Sequence, residues 1–529
     1  MFGVRLAEYV SQHKIEDKVN DAINLAFASE NLPENPYEEI ARVLKLQTAI
    51  KLSLNASSVR RGIVVRARTV QGHFDSTLSF FDCEHENSQS DPRLLKSSSS
   101  SCPDVMRSKF DIDSEILSSI LDFVNETLCL CLKRIDPTDQ AEIDRILKEE
   151  LEKFAPKGSK VRPFARKAVL ATSMAISRAG ASRKKCEVFE HISDIAERTD
   201  ERFVIPIPLI SMLAGGSKSR NDLAISEILS CPSGYKTFTE AFEATRKLEQ
   251  SLQIISPQQM GRSETGGFTP FWTRGVDQAL SFVHDAMELC KCTDKMSLAM
   301  EVSGETFFQQ RGDEDENNAY YDLGLNARDD KEEKNSKDEE EEEEEEEEHD
   351  DDDDDRVTKQ SPDQFLGTMK SWCKKYDIRV VIDPFVTNID AMKYWSALKK
   401  ASAELDMKIC ADSLLRVPEF QLPASLKEGR YHAANFRLTD YVTISDAIKA
   451  VCEYQSKNVK VVLDHNTQQQ SSYLADFGVA LRCNMIHVRG CIGLSQQNVL
   501  KRLQSIETES MGGGSKKKRS SVHCKLATL

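Results

Sequence analysis

The sequence predicts an α/β fold: a β/α barrel, a smaller α+β region before it, and a short helical segment ahead of both. Three observations carry this. From residue 203 to 507, strand-like apolar runs alternate with amphipathic helical runs, the rhythm of a parallel or mostly parallel sheet. The first two strand-like runs, 203–213 and 223–231, stand too close together for a helix between them. The first ends in Ala-Gly-Gly-Ser and the second carries one acid, Glu227. Glycines let backbone approach closely, and a buried acid must be paired or bind something, so this stretch reads as the entry to a pocket.

Residues 1–47 read as two helices. Leu6, Val10, Ile15, Val19 and Ile23 recur at helical spacing, Leu32-Pro33-Glu34-Asn35-Pro36 breaks the run, and Tyr37, Ile40, Ala41 and Leu44 form a second stripe. Two such helices are too small for a core of their own; they dimerise, dock, or fold back on the chain. The pattern resembles the dimerisation/docking module of regulatory kinase subunits and Dpy-30-type proteins, which implies a homodimer that grips an amphipathic helix.

Residues 48–200 form the α+β region. Residues 48–70 alternate as strands, 83–103 are a Ser-rich loop, and 111–154 and 160–182 are helical, the last rich in alanine. Residues 201–510 form the barrel. Its strands are expected at 203–213, 223–231, 297–303, 379–385, 408–414, 432–438, 460–465 and 484–489. Helices are expected at 237–254, 274–292, 362–375, 389–404, 443–456, 471–482 and 494–507. Residues 310–360 are an acidic insert and 511–529 a flexible basic tail, with a nuclear signal as the alternative.

The net charge of −16 comes almost entirely from that insert. Asp338, ten glutamates and six aspartates up to Asp355 supply 17 negative charges. Such a block does not pack; it is a solvated loop, a docking site for a basic partner, or a calcium-binding tail. No run of 18 apolar residues exists to span a bilayer, and the first residues lack a secretory h-region. No nucleic-acid or membrane partner is expected. The 14 cysteines are scattered, with Cys129/Cys131 and Cys290/Cys292 as C-x-C pairs, and read as reduced thiols of a cytoplasmic protein.

In β/α barrels chemistry sits at the C-terminal ends of the strands. Those ends give Glu227, Glu301, Asp383, Asp412, Arg437, His465 and His487. Converging acids suit a hard divalent cation such as Mg²⁺, and a cation beside basic groups suits proton abstraction next to a carboxylate.

Residues 160–510 resemble enolase, the phosphopyruvate hydratase. The matching stretches are VIPIPLISMLAGGS, LAISEILSCPSGYKTFTEA, ETGGFTP, MEVSGETFF, YYDLGL, SPDQF, IDPF, ICADSL, LDHNT and YLADFGVAL, in the family's order and at about its spacing. Residues 48–160 are similar to its smaller domain more loosely. The insert, the Ser-rich loop and the N-terminal helices are similar to the divergent enolase 4-like branch of sperm and ciliated cells. The resemblance implies an enolase-type barrel, a homodimer, a Mg²⁺ cofactor, and interconversion of 2-phosphoglycerate and phosphoenolpyruvate in glycolysis. It also implies a cytoplasmic location, with a cilium or flagellum as the setting of the branch.

Carried over residue by residue, the family's site is altered. Of three metal carboxylates, Glu301 and Asp412 remain and the third position is Ile382. Asp383 is adjacent, but neighbouring strand residues face opposite ways. The general base aligns with Arg437, which stays protonated. The acid's place in the GDEGG loop falls on Thr265, with Glu264 one residue early. The substrate positions fall on Lys218, Glu227, His465, Asn466, Thr467 and His487, the SHRS element reading Asp464-His465-Asn466-Thr467. The family's mobile serine loop is not found. The expectation is a weak or inactive enolase, with the alternative of a pseudoenzyme scaffold of the cilium or flagellum. That scaffold would act through its docking helices and acidic insert.

Overall fold

In the computed structural model the described residues are 53–59, 62–69, 71–79, 114–198, 202–216, 219, 221, 223–263, 266–273, 275–310, 319–324, 359–388, 390–416, 429–465, 472–511 and 525–529. The docking-like helices of 1–47, the Ser-rich loop 83–103 and the acidic run lie outside them. The chain divides into two compact units, one taking the residues up to His191 plus Tyr441–Ala447, the other Ile192–Asp440 plus Ile448 onward.

In the first unit, β1 (Ser53–Val59), β2 (Gly62–Thr69) and β3 (Gly72–Ser79) form an antiparallel meander. The third strand, GHFDSTLS, is absent from the sequence reading because its polar residues hide the apolar positions. Helix α1 (Ser114–Asp122) continues through a π-helical stretch (Phe123–Leu128) into α2 (Cys129–Leu132). Asn125 in the π stretch holds β1: its Oδ1 accepts from Ala56 N at 2.6 Å and its Nδ2 donates to Ala56 O at 3.3 Å. Next come α3 (Gln140–Phe154) and the alanine-rich α4 (Arg162–Lys184), which packs on β2 and β3. Small side chains bring α4 close to its neighbours. Ala165, Ala168, Ala171 and Ala175 are fully buried. Asp144 of α3 is buried too, accepting from Ser173 Oγ at 2.6 Å, Gln140 Nε2 at 2.9 Å and Ser445 N at 2.9 Å. Helix α5 is Val188–Ile195.

The second unit is a closed barrel of eight strands: β5 (Ile207–Ala214), β6 (Glu227–Cys231), β9 (Ser297–Glu301), β13 (Ile378–Ile382), β14 (Lys408–Ala411), β15 (Ala433–Phe436), β16 (Lys460–His465) and β17 (Met485–Val488). Closure is made by β17 pairing with β5, His487 opposite Leu209. Strand β6 is antiparallel to both neighbours and the other pairs are parallel. The reversed β6 is the consequence of the helix-free link after β5. It also corrects the reading of Glu227, which begins its strand rather than ending it. Because β6 runs backwards, Glu227 pairs with Glu301 at the end of β9 and reaches the same rim.

The short strands β4 (Val204–Ile205), β7 (Gly261–Arg262) and β8 (Phe268–Thr269) flank the barrel. Helices α6 (Phe238–Ile255), α7 (Val276–Leu289), α8 (Pro362–Lys375), α9 (Met392–Ala401), α10 (Ile444–Ser456), α11 (Tyr473–Ala480) and α12 (Leu494–Met511) follow the expected order. Their starts obey the sequence. Ser361 and Gln364 form a capping box on α8, and Thr237 caps α6.

Two boundaries differ from expectation. The margins of the insert are ordered into a small antiparallel sheet of β10 (Phe308–Gln310), β11 (Ala319–Asp322) and β12 (Lys359–Gln360). Tyr321 pins it: the ring stacks on Phe365 at 4.3 Å and the hydroxyl accepts from Val386 N at 3.2 Å. The tail also ends in structure. Strand β18 (Lys525–Leu526) pairs with β4, and Ala527 N donates to Ile205 O at 2.8 Å. Burial of Leu526 and Ala527 gives that pairing an apolar anchor.

Candidate active site

The rim formed by the ends of β9, β14 and β16, by the residues following β15 and β17, and by the start of β6 carries an ion-pair network. At its centre is Asp464, whose side chain is fully buried. Arg437 donates through Nε to Asp464 Oδ2 at 2.7 Å and pairs through Nη2 with Asp412 Oδ2. Arg489 donates through Nη1 to Glu227 Oε1 at 2.9 Å and lies 3.3 Å from Asp464 Oδ2. His487 donates through Nε2 to Glu227 Oε2 at 2.9 Å. Its Nδ1 faces Glu301 Oε2 at 3.7 Å and Asp464 Oδ1 at 4.0 Å.

The electrostatics follow from burial set against these pairs. Burial alone would raise the Asp464 carboxyl, but Arg489, Arg437 and His487 overcome it and hold it far below the usual carboxylate range. Asp412 is raised by burial despite Arg437. Glu301 is raised by burial and by Glu227 and Asp464, against the pull of Arg489 and His487. Burial opposes the His487 imidazolium, yet the hydrogen bond with Glu227 leaves it above its ordinary value.

Asp383 follows β13 with a left-handed φ of 48°. That turn aims its carboxylate at the next strand's backbone: Oδ1 accepts from Asp412 N at 2.7 Å, Oδ2 from Ser413 N at 2.8 Å and from Ser413 Oγ. It thereby fixes the backbone that carries Asp412. Burial, with Asp412 adding to it, pushes Asp383 up to about 7.

The structure thus brings together Glu227, Glu301, Asp412, Arg437 and His487 from the expected set. Asp464 and Arg489 complete the network; the sequence offers Arg489 only as a neighbour of His487 and Asp464 only as the head of Asp464-His465-Asn466-Thr467, and the further signal was an acid closing the apolar run VVLD. Strand alternation gives Asp464 to the network and His465 to another environment, where its Nε2 meets Ser495 Oγ at 3.1 Å. Lys218, Glu264, Thr265, Asn466 and Thr467 lie outside the described residues. Gly215 and Gly216 explain the Ala-Gly-Gly-Ser signal: a Cβ on Gly215 would sit 2.4 Å from Ile225 O, and Gly216 has φ +74°.

A Mg²⁺ ion at the three-carboxylate position does not fit these residues. Ile382 is buried and offers no donor atom. The remaining carboxylates are not a free pair either, because Asp412 already carries the Arg437 guanidinium. Mg²⁺ demands near-ideal octahedral oxygen geometry. Glu227, Glu301 and His487 do form an acidic group whose ligand atoms lie within 4.8 Å of one another. Arginine at 437 is a poor proton acceptor, and here it is doubly ion-paired as well.

Residues 202–515, more than half of the chain, match the family described as the enolase C-terminal TIM barrel domain.

Proposed function

The chain belongs to the enolase family, and from that premise we propose that it is an enolase-like protein whose ancestral lyase reaction is weak or lost and whose barrel now serves as a binding body. The observation that supports this most is Arg437 seated between Asp412 and Asp464. A guanidinium there supplies positive charge where the family reaction calls for a neutral base and a metal. General acid and base groups are each typically worth about 10²–10⁴ in rate. Replacing the base at Arg437, the acid at Thr265 and a ligand at Ile382 therefore removes most of the turnover, although such losses do not add.

The test is dehydration of 2-phosphoglycerate by the purified full chain with Mg²⁺. The reading expects no rate above a heat-inactivated control. Steady turnover that scales with protein concentration would overturn it and restore a working phosphopyruvate hydratase of glycolysis.

The scaffold part of the proposal rests on sequence. Residues 1–47 resemble a docking module, and the acidic insert offers charge to a basic partner. We assign the chain to the enolase 4-like branch, as a cytoplasmic homodimer that holds an amphipathic-helix protein of a cilium or flagellum. Removing residues 1–47 from the full chain is expected to abolish capture of that partner while the barrel still melts cooperatively. An unchanged set of partners after the deletion would argue against it.

A further inference from the structure

The fold treats the two C-x-C pairs of the sequence differently. Cys129 and Cys131 lie on the short helix α2, where residues two apart point away from each other. Cys129 Sγ accepts from Leu54 N at 3.4 Å, and Cys131 is exposed.

Cys290 and Cys292 straddle the end of α7. Lys291 between them is left-handed, with φ 54°. Its N donates to Glu288 O at 3.0 Å, and Cys292 N donates to Met287 O at 3.1 Å. These are the two bonds of a Schellman cap, whose left-handed position usually takes glycine. The reversal folds Cys292 back toward Cys290, and their Sγ atoms stand 3.2 Å apart.

The two thiols differ in access. Cys290 is half-buried and can be reached from solvent, whereas Cys292 is buried. Burial, with Cys290 beside it, pushes the Cys292 thiol up, so it is the poorer nucleophile toward a dissolved reagent. A neutral S–S bond suits that buried position better than a thiolate does.

We propose that Cys290 and Cys292 form a reversible dithiol–disulfide site, oxidised by a small disulfide of the glutathione type. Cys290 attacks first and Cys292 resolves. The Cys290 thiolate attacks one sulfur of glutathione disulfide: a Cys290–glutathione bond forms, the glutathione S–S bond breaks, and one glutathione thiolate leaves. Cys292 Sγ then attacks Cys290 Sγ: the Cys290–Cys292 bond forms and the second glutathione thiolate leaves. The two thiol protons of the chain end on the two glutathiones. The dithiol is oxidised by two electrons and glutathione disulfide is reduced by two.

Closure brings the sulfurs from 3.2 Å to about 2.05 Å. The loop closed is only three residues long, too short to stabilise the fold much through chain entropy. A bridge that solvent reaches at Cys290 is of the labile kind, so this is a modification site and not a structural staple. It precedes the start of β9, whereas Glu301 ends that strand. It does not rest on the proposed loss of turnover.

The experiment uses the full chain, reduced and then equilibrated with glutathione buffers of increasing oxidised fraction. Samples are quenched in acid, alkylated in denaturant, cleaved after glutamates so that Lys291 is spared, and weighed by mass spectrometry. The peptide carrying Cys290 and Cys292 is expected to lose both alkyl groups and two hydrogens as the buffer becomes oxidising. It should regain both alkyl groups when reduced glutathione is restored. The peptide carrying Cys129 and Cys131 is expected to form no internal bridge. Cys292→Ser is expected to hold glutathione on Cys290, an adduct that the wild type resolves, and Cys290→Ser should leave Cys292 alkylated. The wild-type readout stands where either variant fails to fold. Both alkyl groups kept at Cys290 and Cys292 in every buffer, or an equal bridge at Cys129 and Cys131, overturns the proposal.

Discussion

Replacing Arg437 with methionine tests the network at its hinge. Methionine keeps much of the volume and removes the charge. The Arg437 side chain is 19% exposed, and its two partners are 11% exposed (Asp412) and fully buried (Asp464). Breaking a buried pair from one side leaves uncompensated charge and costs about 3–5 kcal/mol. The pH dependence carries a sign. In the wild type Asp464 sits below its unfolded value, so its stabilisation is present above that value and is lost as pH falls into the acid range. In the variant both carboxyls are pushed upward, and the penalty appears above their unfolded values and grows with pH. The deficit of Arg437→Met relative to wild type should therefore shrink as pH falls from 8 towards 4. Urea unfolding at several pH values measures it. Adding Asp464→Ser, the residue of the family's SHRS element, should return part of the loss, with a coupling of about 2–3 kcal/mol in the double-mutant cycle. A variant within about 1 kcal/mol of wild type at pH 8, or additive single losses, would mean that Arg437 does not balance these carboxylates.

Two further perturbations probe the scaffold. Trp395 is fully buried and donates from Nε1 to Val386 O at 3.2 Å, so Trp395→Ala should cost about 3–5 kcal/mol in chemical denaturation. His432 accepts from Ile409 N at 3.0 Å through Nδ1, and burial with Lys399, Lys408 and Lys460 nearby pushes it down to about 4. Its neutral form stabilises the fold fully above its ordinary value of 6.5, and that contribution fades as pH falls from 6.5 to 4. Partial exposure limits it to about 1–2 kcal/mol, and His432→Gln should flatten the stability curve across that window.

The barrel was legible because its strands are short apolar runs of the right length, most of them followed by an amphipathic helix. Helix α8 falls on the expected bounds, 362–375, because a Ser-Pro start with a capping Gln is a local signal. β3 was not legible, since its residues alternate irregularly, and β18 pairs with a segment some 320 residues earlier. The site divides the same way. Glu301, Asp412, Arg437 and His487 could be found singly by reading strand ends. Their pairing could not, because Asp464 meets Arg489 and Arg437 only through the neighbour order of β15, β16 and β17. Strand alternation set Asp383 aside as a substitute ligand, but its contacts with the Asp412 and Ser413 backbone depend on a left-handed turn. A non-glycine residue gives little sign of such a turn in advance.

A crystal structure grown with excess Mg²⁺ and 2-phosphoglycerate would show whether Arg437 holds the charged centre of this barrel. Arg437 is expected still to bridge Asp412 and Asp464, with no Mg²⁺ at about 2.0–2.1 Å from Asp412. A Mg²⁺ ion coordinated by Glu301 and Asp412, with the arginine swung aside and product in place, would instead mark a working enolase site.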